Sequence, residues 1–399
     1  MNPPHGVIAG AGIGGLTAAL CLARAGWRVS LYEQAKVLEE TGAGLQLSPN
    51  ASAILRNLGV LERLTPFALR PEAIRIRRAR DGATLMVMPL DTAEKRWGAP
   101  YLVVHRADLQ RALLEAVARE NAITLQTGAA VAGFAPSEGG VVVALAQGAA
   151  RLNVAGDCLI GADGLRSFVR QRLHGDTLRF SGRTAWRGIV EAARLPAAMR
   201  RKETNLWLGS KAHLVHYPLR GGVIVNVVAI VDEDFHSDEK DFWSSPGEPK
   251  FLEARFARWD KTTGDLLRAV PEWKKWPLAN RDPVPSFVAG RVALIGDAAH
   301  PMLPFLAQGA AQAIEDAGVL GEVLGRGQNI EAGLLAYQVK RLHRAARVQK
   351  ESRRQAIIYH LGGPAAFLRD AALRALGPEK MLARYDWLYD ARQANGGQR

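Results

Sequence analysis

Apolar residues open the chain in a short run, Gly6 to Ala9, that ends in glycine. Residues Ile13 to Ala25 then place apolar side chains at helical spacing, and Trp27 to Tyr32 forms a second apolar run. Strand, glycine-rich turn, helix, strand is the βαβ pattern. Helical spacing returns at Asn50 to Leu58 and, most clearly, at Arg106 to Glu120. Ile74 to Arg80 alternates Ile with Arg, and Thr84 to Pro89 follows it as a two-stranded excursion. Ile123 to Val131, Val141 to Ala146 and Leu152 to Val154 alternate like a meander. Asp157 to Gly161 reads as a buried strand and Arg166 to Leu173 as a short helix.

The pattern changes near Ser181. Arg183 to Glu191, Thr204 to Leu208, His213 to Leu219 and Val223 to Val231 alternate as antiparallel strands do. Asp232 to Lys250 is polar, carries Pro246 and Pro249, and is expected to be a loop. Helices are expected at about Phe251 to Arg258 and Gly264 to Val270; the βα pattern resumes at Arg291, and the tail from Ile330 is mostly helical. The prediction is an α/β fold. A Rossmann-like domain takes residues 1–73, 100–180 and 276–330, an inserted antiparallel-sheet domain takes 74–99 and 181–275, and a helical C-terminal region takes 331–399. A length of 399 residues suits about two domains.

Composition narrows the class. Hydrophobic residues make up 48% and charged residues 23%, as in soluble globular proteins. No apolar run is long enough to predict a membrane span, and Met1-Asn-Pro-Pro-His5 lacks the features of a signal peptide. Cys21 and Cys158 fall in a predicted helix and strand, which suits reduced thiols in the cytoplasm and not a disulfide framework. No metal-ligand spacing such as H-E-x-x-H occurs, so no metal is expected. The net charge of +13 serves solubility or attracts anions such as a dinucleotide or an aromatic carboxylate. The basic residues are scattered and no nucleic-acid-binding module shows. Lys340 to Arg354 reads as a solvated helix face, and Arg75, Arg77 and Arg78 as a solvated strand edge.

Three turns carry candidate chemistry. Gly10-Ala-Gly12-Ile-Gly14-Gly15 fits G-x-G-x-x-G between a strand and a helix. The first glycine makes the tight turn, the second lets a pyrophosphate approach the backbone, and the third lets helix and strand pack closely. Glu33 closes the second strand 18 residues beyond Gly15, where an acid binds a ribose hydroxyl. Cys158-Leu-Ile-Gly-Ala-Asp163-Gly164 is a second strand-to-turn element, which alone would equally suit a helix cap. Arg291 to Gly296-Asp297 is the third; a proline-bearing turn and a helix opened by Gln308-Gly309-Ala310 follow it. Such a strand end can set a carboxylate on a ribityl hydroxyl, and such a helix start can aim N–H groups at an anionic ring.

With these turns in this order, the chain resembles the class A flavoprotein aromatic hydroxylases over almost its whole length. Gly10 to Glu33, with Gln34, is similar to their FAD fingerprint. Asp163-Gly164 is similar to a motif serving FAD and the reduced nicotinamide, Gly296-Asp297 to the motif holding the ribityl chain, and His105-Arg106 to a segment whose Arg lies near FAD. Gly42-Ala43-Gly44-Leu-Gln46-Leu-Ser48-Pro49-Asn50, Ala185-Trp186-Arg187-Gly188, His213-Leu-Val-His216-Tyr217-Pro218 and Leu303-Pro304-Phe305-Leu306-Ala307-Gln308-Gly309 resemble salicylate hydroxylase. They also resemble 3-hydroxybenzoate 6-hydroxylase and 6-hydroxynicotinate 3-monooxygenase. The resemblance implies a p-hydroxybenzoate hydroxylase-like fold, non-covalent FAD, NADH or NADPH as co-substrate, and a monomer or homodimer. It implies O2-dependent hydroxylation of a small phenolic acid, such as a hydroxybenzoate, through a flavin C4a-hydroperoxide kept dry by the protein. Ala43, Arg106, Arg187, Gln308, Gly309 and Ala310 would join the three turns around FAD.

A phenol reacts better as phenolate, so the resemblance also asks for a base. His213 matches the substrate-contacting His of the 3-hydroxybenzoate enzyme. Tyr217 shares its strand face and is the second catalytic candidate, whereas His216 falls on the opposite face. Gln46, Pro304 and Phe305 are expected in the substrate pocket. The 3-hydroxybenzoate enzyme has Gln where this chain has Pro304, and the hydroxynicotinate enzyme has His where it has Phe305, which favours an apolar, salicylate-like pocket. His300 is read as structural. The alternatives are an N-heteroaromatic substrate such as hydroxynicotinate, or an epoxidase acting on a non-phenolic substrate. A flavin halogenase is disfavoured because the W-x-W-x-I-P signature is absent and Trp186 is followed by Arg-Gly-Ile.

Overall fold

The computed structural model describes residues 2–38, 43–233, 245–325 and 329–394. Gly42 and most of the expected loop from Asp232 to Lys250 lie outside the described residues. Strand His5–Ala9 lies inside a six-stranded sheet, in the order Val288–Ala289, Val292–Leu294, Cys158–Gly161, His5–Ala9, Arg28–Glu33, Ile123–Thr127. All pairings are parallel except the outer one, Val288–Ala289 on Val292–Leu294. Val7, Ile8, Leu31, Leu159 and Ile160 are fully enclosed. Strands covered on both faces need no polar alternation, which is why they read as continuous apolar runs. Beside this sheet lie the meander of Ala130–Ser137, Gly140–Gln147 and Ala150–Gly156 and a pair, Gly44–Leu47 with Leu102–His105.

The second large sheet has eight strands: Ser245–Gly247, Trp273–Asn280, Arg179–Glu191, Ile224–Asp232, Ala212–Leu219, Glu203–Gly209, Ala73–Arg78 and Thr84–Pro89. It is antiparallel apart from one seam, where Glu203–Gly209 runs parallel to Ala73–Arg78. That seam corrects the reading of Arg75, Arg77 and Arg78 as a solvated edge, because their strand has neighbours on both sides. Arg75 makes two 2.7 Å hydrogen bonds to Glu203, and Arg77 donates to Asn205 Oδ1 at 3.0 Å. Both acceptors belong to the parallel neighbour, which no local pattern reveals.

Helices Pro249–Phe256 and Lys261–Ala269 cover one face of this sheet through Leu252, Phe256, Leu266 and Leu267. On the other face, Ile76, Leu206 and Leu208 pack with Val348, Leu382, Leu388 and Tyr389 of the C-terminal helices. The longest of these helices, Ile330–Tyr359, packs along helix Gly309–Leu324. Its basic stretch is not simply a solvated face. Arg341 is 1% exposed and bonded to Glu315 and Asp316, and Arg344 also reaches Glu315. The helix ends at His360, whose carbonyl accepts Lys211 N at 3.0 Å and so fastens the helix to the turn before strand Ala212–Leu219. Among the described residues, no helix is long and apolar enough to cross a membrane.

Candidate active site

Strand His5–Ala9 delivers the chain into Gly10, whose φ of +98° suits glycine and whose Cβ would lie 2.5 Å from the Ala162 carbonyl oxygen. A Cβ on Gly15 would lie 1.9 Å from the Gly10 carbonyl oxygen, so helix Ile13–Arg24 leaves the strand in close contact with it. Gly12 differs. A Cβ there would meet nothing within 4 Å, and the residue lines an open cleft of about 320 Å³. Glu33 braces the turn from the neighbouring strand: Oε2 accepts Ala11 N and Oε1 accepts Ala35 N, each at 2.8 Å.

The opposite wall is the turn after strand Val292–Leu294. Gly296 has φ +58°, its N–H donates to Asp316 Oδ2 at 2.8 Å, and it presents Asp297 to the cleft. Burial pushes the Asp297 carboxyl up, against the pull of His300 and Arg106. His300 has the structural place expected of it: it is 1% exposed and bonded to Asp316 at 2.6 Å. Burial alone would raise the Asp316 carboxyl, but His300, Arg341 and the Gly296 N–H outweigh it and hold it at about 2. Gly309 and Ala310, the first residues of helix Gly309–Leu324, also line the cleft.

Ala43, Arg106, Gly164 and Arg187 complete the cleft wall. Arg187 lies 5.1 Å from the centre of the Trp276 ring; burial lowers its pKa and Arg106 lowers it further. Two guanidiniums therefore face one cleft. At the far end stand His213 and Tyr217, on one face of strand Ala212–Leu219. His216 points away and accepts Trp207 Nε1 at 3.3 Å, as alternation along a strand requires. Tyr217 packs against Gly44, where a Cβ would come within 2.6 Å of its ring.

Beyond His213 the cleft meets a chamber of about 90 Å³. His213, Gln46, Val215, Pro304 and Ala307 line both spaces. Phe305 lines the chamber only, with its ring 5.1 Å from that of His213. Burial, together with His360 and Arg183, holds the His213 pKa well below the usual histidine value. Tyr101 donates to Gln46 Oε1 at 2.6 Å, which leaves the Gln46 amide N–H groups to donate elsewhere. Thr204 is 3% exposed, lines the chamber, and its Oγ1 has no hydrogen-bond partner among the described residues.

Not every expected residue reaches the cleft wall. Gly10, Gly15, Glu33 and Gln34 are not part of it, and Gln34 is exposed on the outside. Asp163 is also absent: its carboxylate accepts Ser167 Oγ and Val169 N, capping helix Phe168–His174. The Gln308 side chain donates to Ser48 Oγ at 2.8 Å, inside a buried network with Asn50, Gln312 and Glu315. The sequence reading missed Tyr101, Thr204, Tyr359, Tyr385 and Tyr389 of the chamber. Five of the chain's seven tyrosines line the cleft or the chamber, but no local pattern in the sequence groups them.

Residues 5–352 match a family described as FAD binding domain. The chain is 39% identical to 3-amino-4-hydroxybenzoate 2-monooxygenase of Streptomyces platensis, over 99% of this chain and 98% of that protein. It is 36% identical to 3-hydroxybenzoate 6-hydroxylase of Polaromonas naphthalenivorans, over 96% of this chain and 95% of that protein. Among solved structures, a salicylate hydroxylase substrate complex matches with a TM-score of 0.83 and 28% identity, covering 98% of each chain.

Proposed function

The chain belongs to the FAD binding domain family and is a flavoprotein monooxygenase, and we propose that it uses NAD(P)H and O2 to hydroxylate a small phenolic acid of the hydroxybenzoate class. The observation that carries this reading is the shared wall. His213, Gln46, Val215, Pro304 and Ala307 face a long cleft on one side and a small aromatic-walled chamber on the other.

The residues fit FAD. Gly12 leaves open the space that a side chain would take beside the helix start, where a pyrophosphate gains the helix dipole and free N–H groups. Arg106 and Arg187 supply positive charge, Asp297 offers a carboxylate to a hydroxyl-bearing chain, and Gly309 and Ala310 open a second helix toward the cleft. Gly10, Gly14, Gly15 and Glu33 shape the turn, and Asp163 holds Gly164 in place by capping the next helix. Bound FAD would take reducing equivalents from NAD(P)H and activate O2.

The chain's own residues handle the phenol. His213, kept neutral by burial, takes the phenolic proton. Pro304 and Phe305 exclude water at the junction, and Tyr217 backs the cleft beside His213. Among the described residues lining the chamber there is no Lys or Arg. The substrate carboxylate therefore rests on neutral donors, the Thr204 hydroxyl and the Gln46 amide. A monomer or homodimer suffices, since one chain supplies every wall described. We place the enzyme in the cytoplasm, where the buried thiols of Cys21 and Cys158, both pushed up to about 12 by burial, stay reduced.

The test is direct. The purified protein should carry a flavin spectrum, and a hydroxybenzoate should stimulate NADH or NADPH oxidation and be converted to a product one oxygen heavier. Hydroxynicotinates form the comparison arm. A protein that cannot be reconstituted with FAD, or one that no hydroxybenzoate stimulates, would sink the reading.

A further inference from the structure

Two residues that line neither cavity stand behind His213. His213 Nδ1 lies 2.8 Å from His360 Nε2, and His360 Nδ1 lies 2.6 Å from Asp232 Oδ1. Arg183 Nε is 3.1 Å from the same oxygen. The line of bonds starts at a residue that is 2% exposed and ends on a side chain that is 32% exposed. Three elements meet to make it. His213 sits at the start of strand Ala212–Leu219, Asp232 at the end of the adjacent strand Ile224–Asp232, and His360 caps helix Ile330–Tyr359. Lys211 ties them together, donating its N–H to His360 O at 3.0 Å and accepting Asp232 N–H at 2.8 Å.

The order of the bonds fixes the tautomers. An ionised carboxylate only accepts, so the proton on His360 is at Nδ1. His360 Nε2 must then accept, which puts the His213 proton on Nδ1. His213 Nε2 is left with its lone pair, on a side chain that lines both cavities.

We propose that His360 and Asp232 form a proton exit path from the substrate to solvent, an inference that rests on His213 acting as the base. The phenolic O–H bond breaks and its proton bonds to His213 Nε2, while the electron pair stays on the phenolate oxygen. The proton on His213 Nδ1 moves to His360 Nε2, and the one on His360 Nδ1 moves to Asp232 Oδ1, from which water removes it. His360 and Asp232 touch no substrate and are positioning and relay residues. The surroundings favour passing the proton outward. Among the described residues, the groups acting on the two rings are the cations of Arg183 and Arg255, the aromatic rings of Phe305 and Tyr359, and one carboxylate, Asp232. A charge stored on His213 would meet, among the described residues, no protein carboxylate in contact and would stay paired with the phenolate it has just made, whereas one passed outward ends on Asp232.

Asp232→Asn tests the transfer, because an amide oxygen still accepts from His360 Nδ1 but cannot take its proton. FAD-loaded enzyme without NAD(P)H is mixed with 3-hydroxybenzoate or 3-amino-4-hydroxybenzoate in stopped flow. The near-ultraviolet difference band of the bound phenolate is followed across pH. Asp232→Asn should slow phenolate appearance about tenfold or more and shift its pH profile, with Kd unchanged. His360→Ala should slow it likewise, and added imidazole should restore part of the rate. An Asp232→Asn enzyme that ionises the phenol at the unaltered rate and pH profile overturns the relay, and so does a loss seen in Asp232→Ala but not in Asp232→Asn. If His213→Ala leaves phenol ionisation intact, the base assignment itself falls. If His213→Ala abolishes it while Asp232→Asn does not, only the relay falls.

Discussion

Asp316 Oδ2 lies 2.6 Å from His300 Nε2 and accepts the Gly296 N–H at 2.8 Å. Its other oxygen takes Arg341 Nε at 2.6 Å. One buried carboxylate thus ties the Gly296-Asp297 turn to the helix behind it and to the long C-terminal helix. Removing one partner of a buried ion pair leaves the other charge without compensation, at about 3–5 kcal/mol. Because Glu315 still faces Arg341, Asp316→Ala should lower unfolding stability by less than that full amount, and it should weaken FAD retention, because the turn presenting Asp297 loses its tether. Urea unfolding and FAD content after gel filtration read the two effects separately. Full flavin retention in a destabilised variant would show that the turn holds itself.

The glycine turn separates folding from binding. A Cβ on Gly15 would meet the Gly10 carbonyl oxygen at 1.9 Å, a backbone atom that cannot step aside. A Cβ on Gly12 would meet nothing within 4 Å and would point into space on the cleft side. Gly15→Ala should therefore fail to accumulate as folded protein. Gly12→Ala should fold with near-normal stability and bind FAD at least about tenfold more weakly, the effect of losing one close backbone approach to phosphate. A Gly12→Ala protein that keeps full FAD affinity would place the pyrophosphate elsewhere.

What the sequence could show depended on how local each signal was. The βαβ start was legible because Gly10 to Glu33 is contiguous and each glycine has its own steric duty. Strand alternation was enough to place His213 and Tyr217 together and His216 apart. The chamber was not legible. Its tyrosines come from the strand-pair region at Tyr101 and from the tail at Tyr359, Tyr385 and Tyr389, where the apolar pattern says only helix. His360 was missed for the same reason: its meaning lies in Asp232, 128 residues away. Asp163 and Gln308 show the opposite limit, because a motif does not say what its side chains bond to. Their motifs are in place, but the carboxylate caps a helix and the amide joins a buried network.

Thr204 gives a test of how the substrate anion is held. Its Oγ1 is buried in the chamber with no hydrogen-bond partner among the described residues. Leaving a hydroxyl unsatisfied costs about 1–3 kcal/mol, so Thr204→Val, of nearly the same shape, should leave the substrate-free protein as stable or more stable. With a hydroxybenzoate the sign reverses. The lost hydrogen bond to a charged group, about 1.5–3 kcal/mol, should raise KM about tenfold or more with a smaller change in kcat. Unfolding curves and steady-state kinetics on the same preparation decide it. An unchanged KM would move the carboxylate away from Thr204, leaving the Gln46 amide as the donor to examine by Gln46→Leu.

His216 makes a prediction about pH that does not depend on the reaction. It is 2% exposed on the face turned away from the cleft, and burial, aided by Arg77 and opposed by Glu203, pushes its pKa down to about 3. In the unfolded chain it titrates near 6.5. Below that pH the unfolded chain takes up a proton that the folded protein refuses until about pH 3, so the contribution is complete above 6.5 and is lost as pH falls. At pH 5 the loss is about 2 kcal/mol. His213, also held below the usual histidine value by burial, adds in the same direction. His216→Gln can still accept from Trp207 Nε1 but does not titrate. Whatever its stability at pH 7.5, it should lose about 2 kcal/mol less than the unaltered protein between pH 7.5 and pH 5 in urea unfolding. Equal losses in the two proteins would mean that His216 takes up its proton in the folded state as readily as in the unfolded chain.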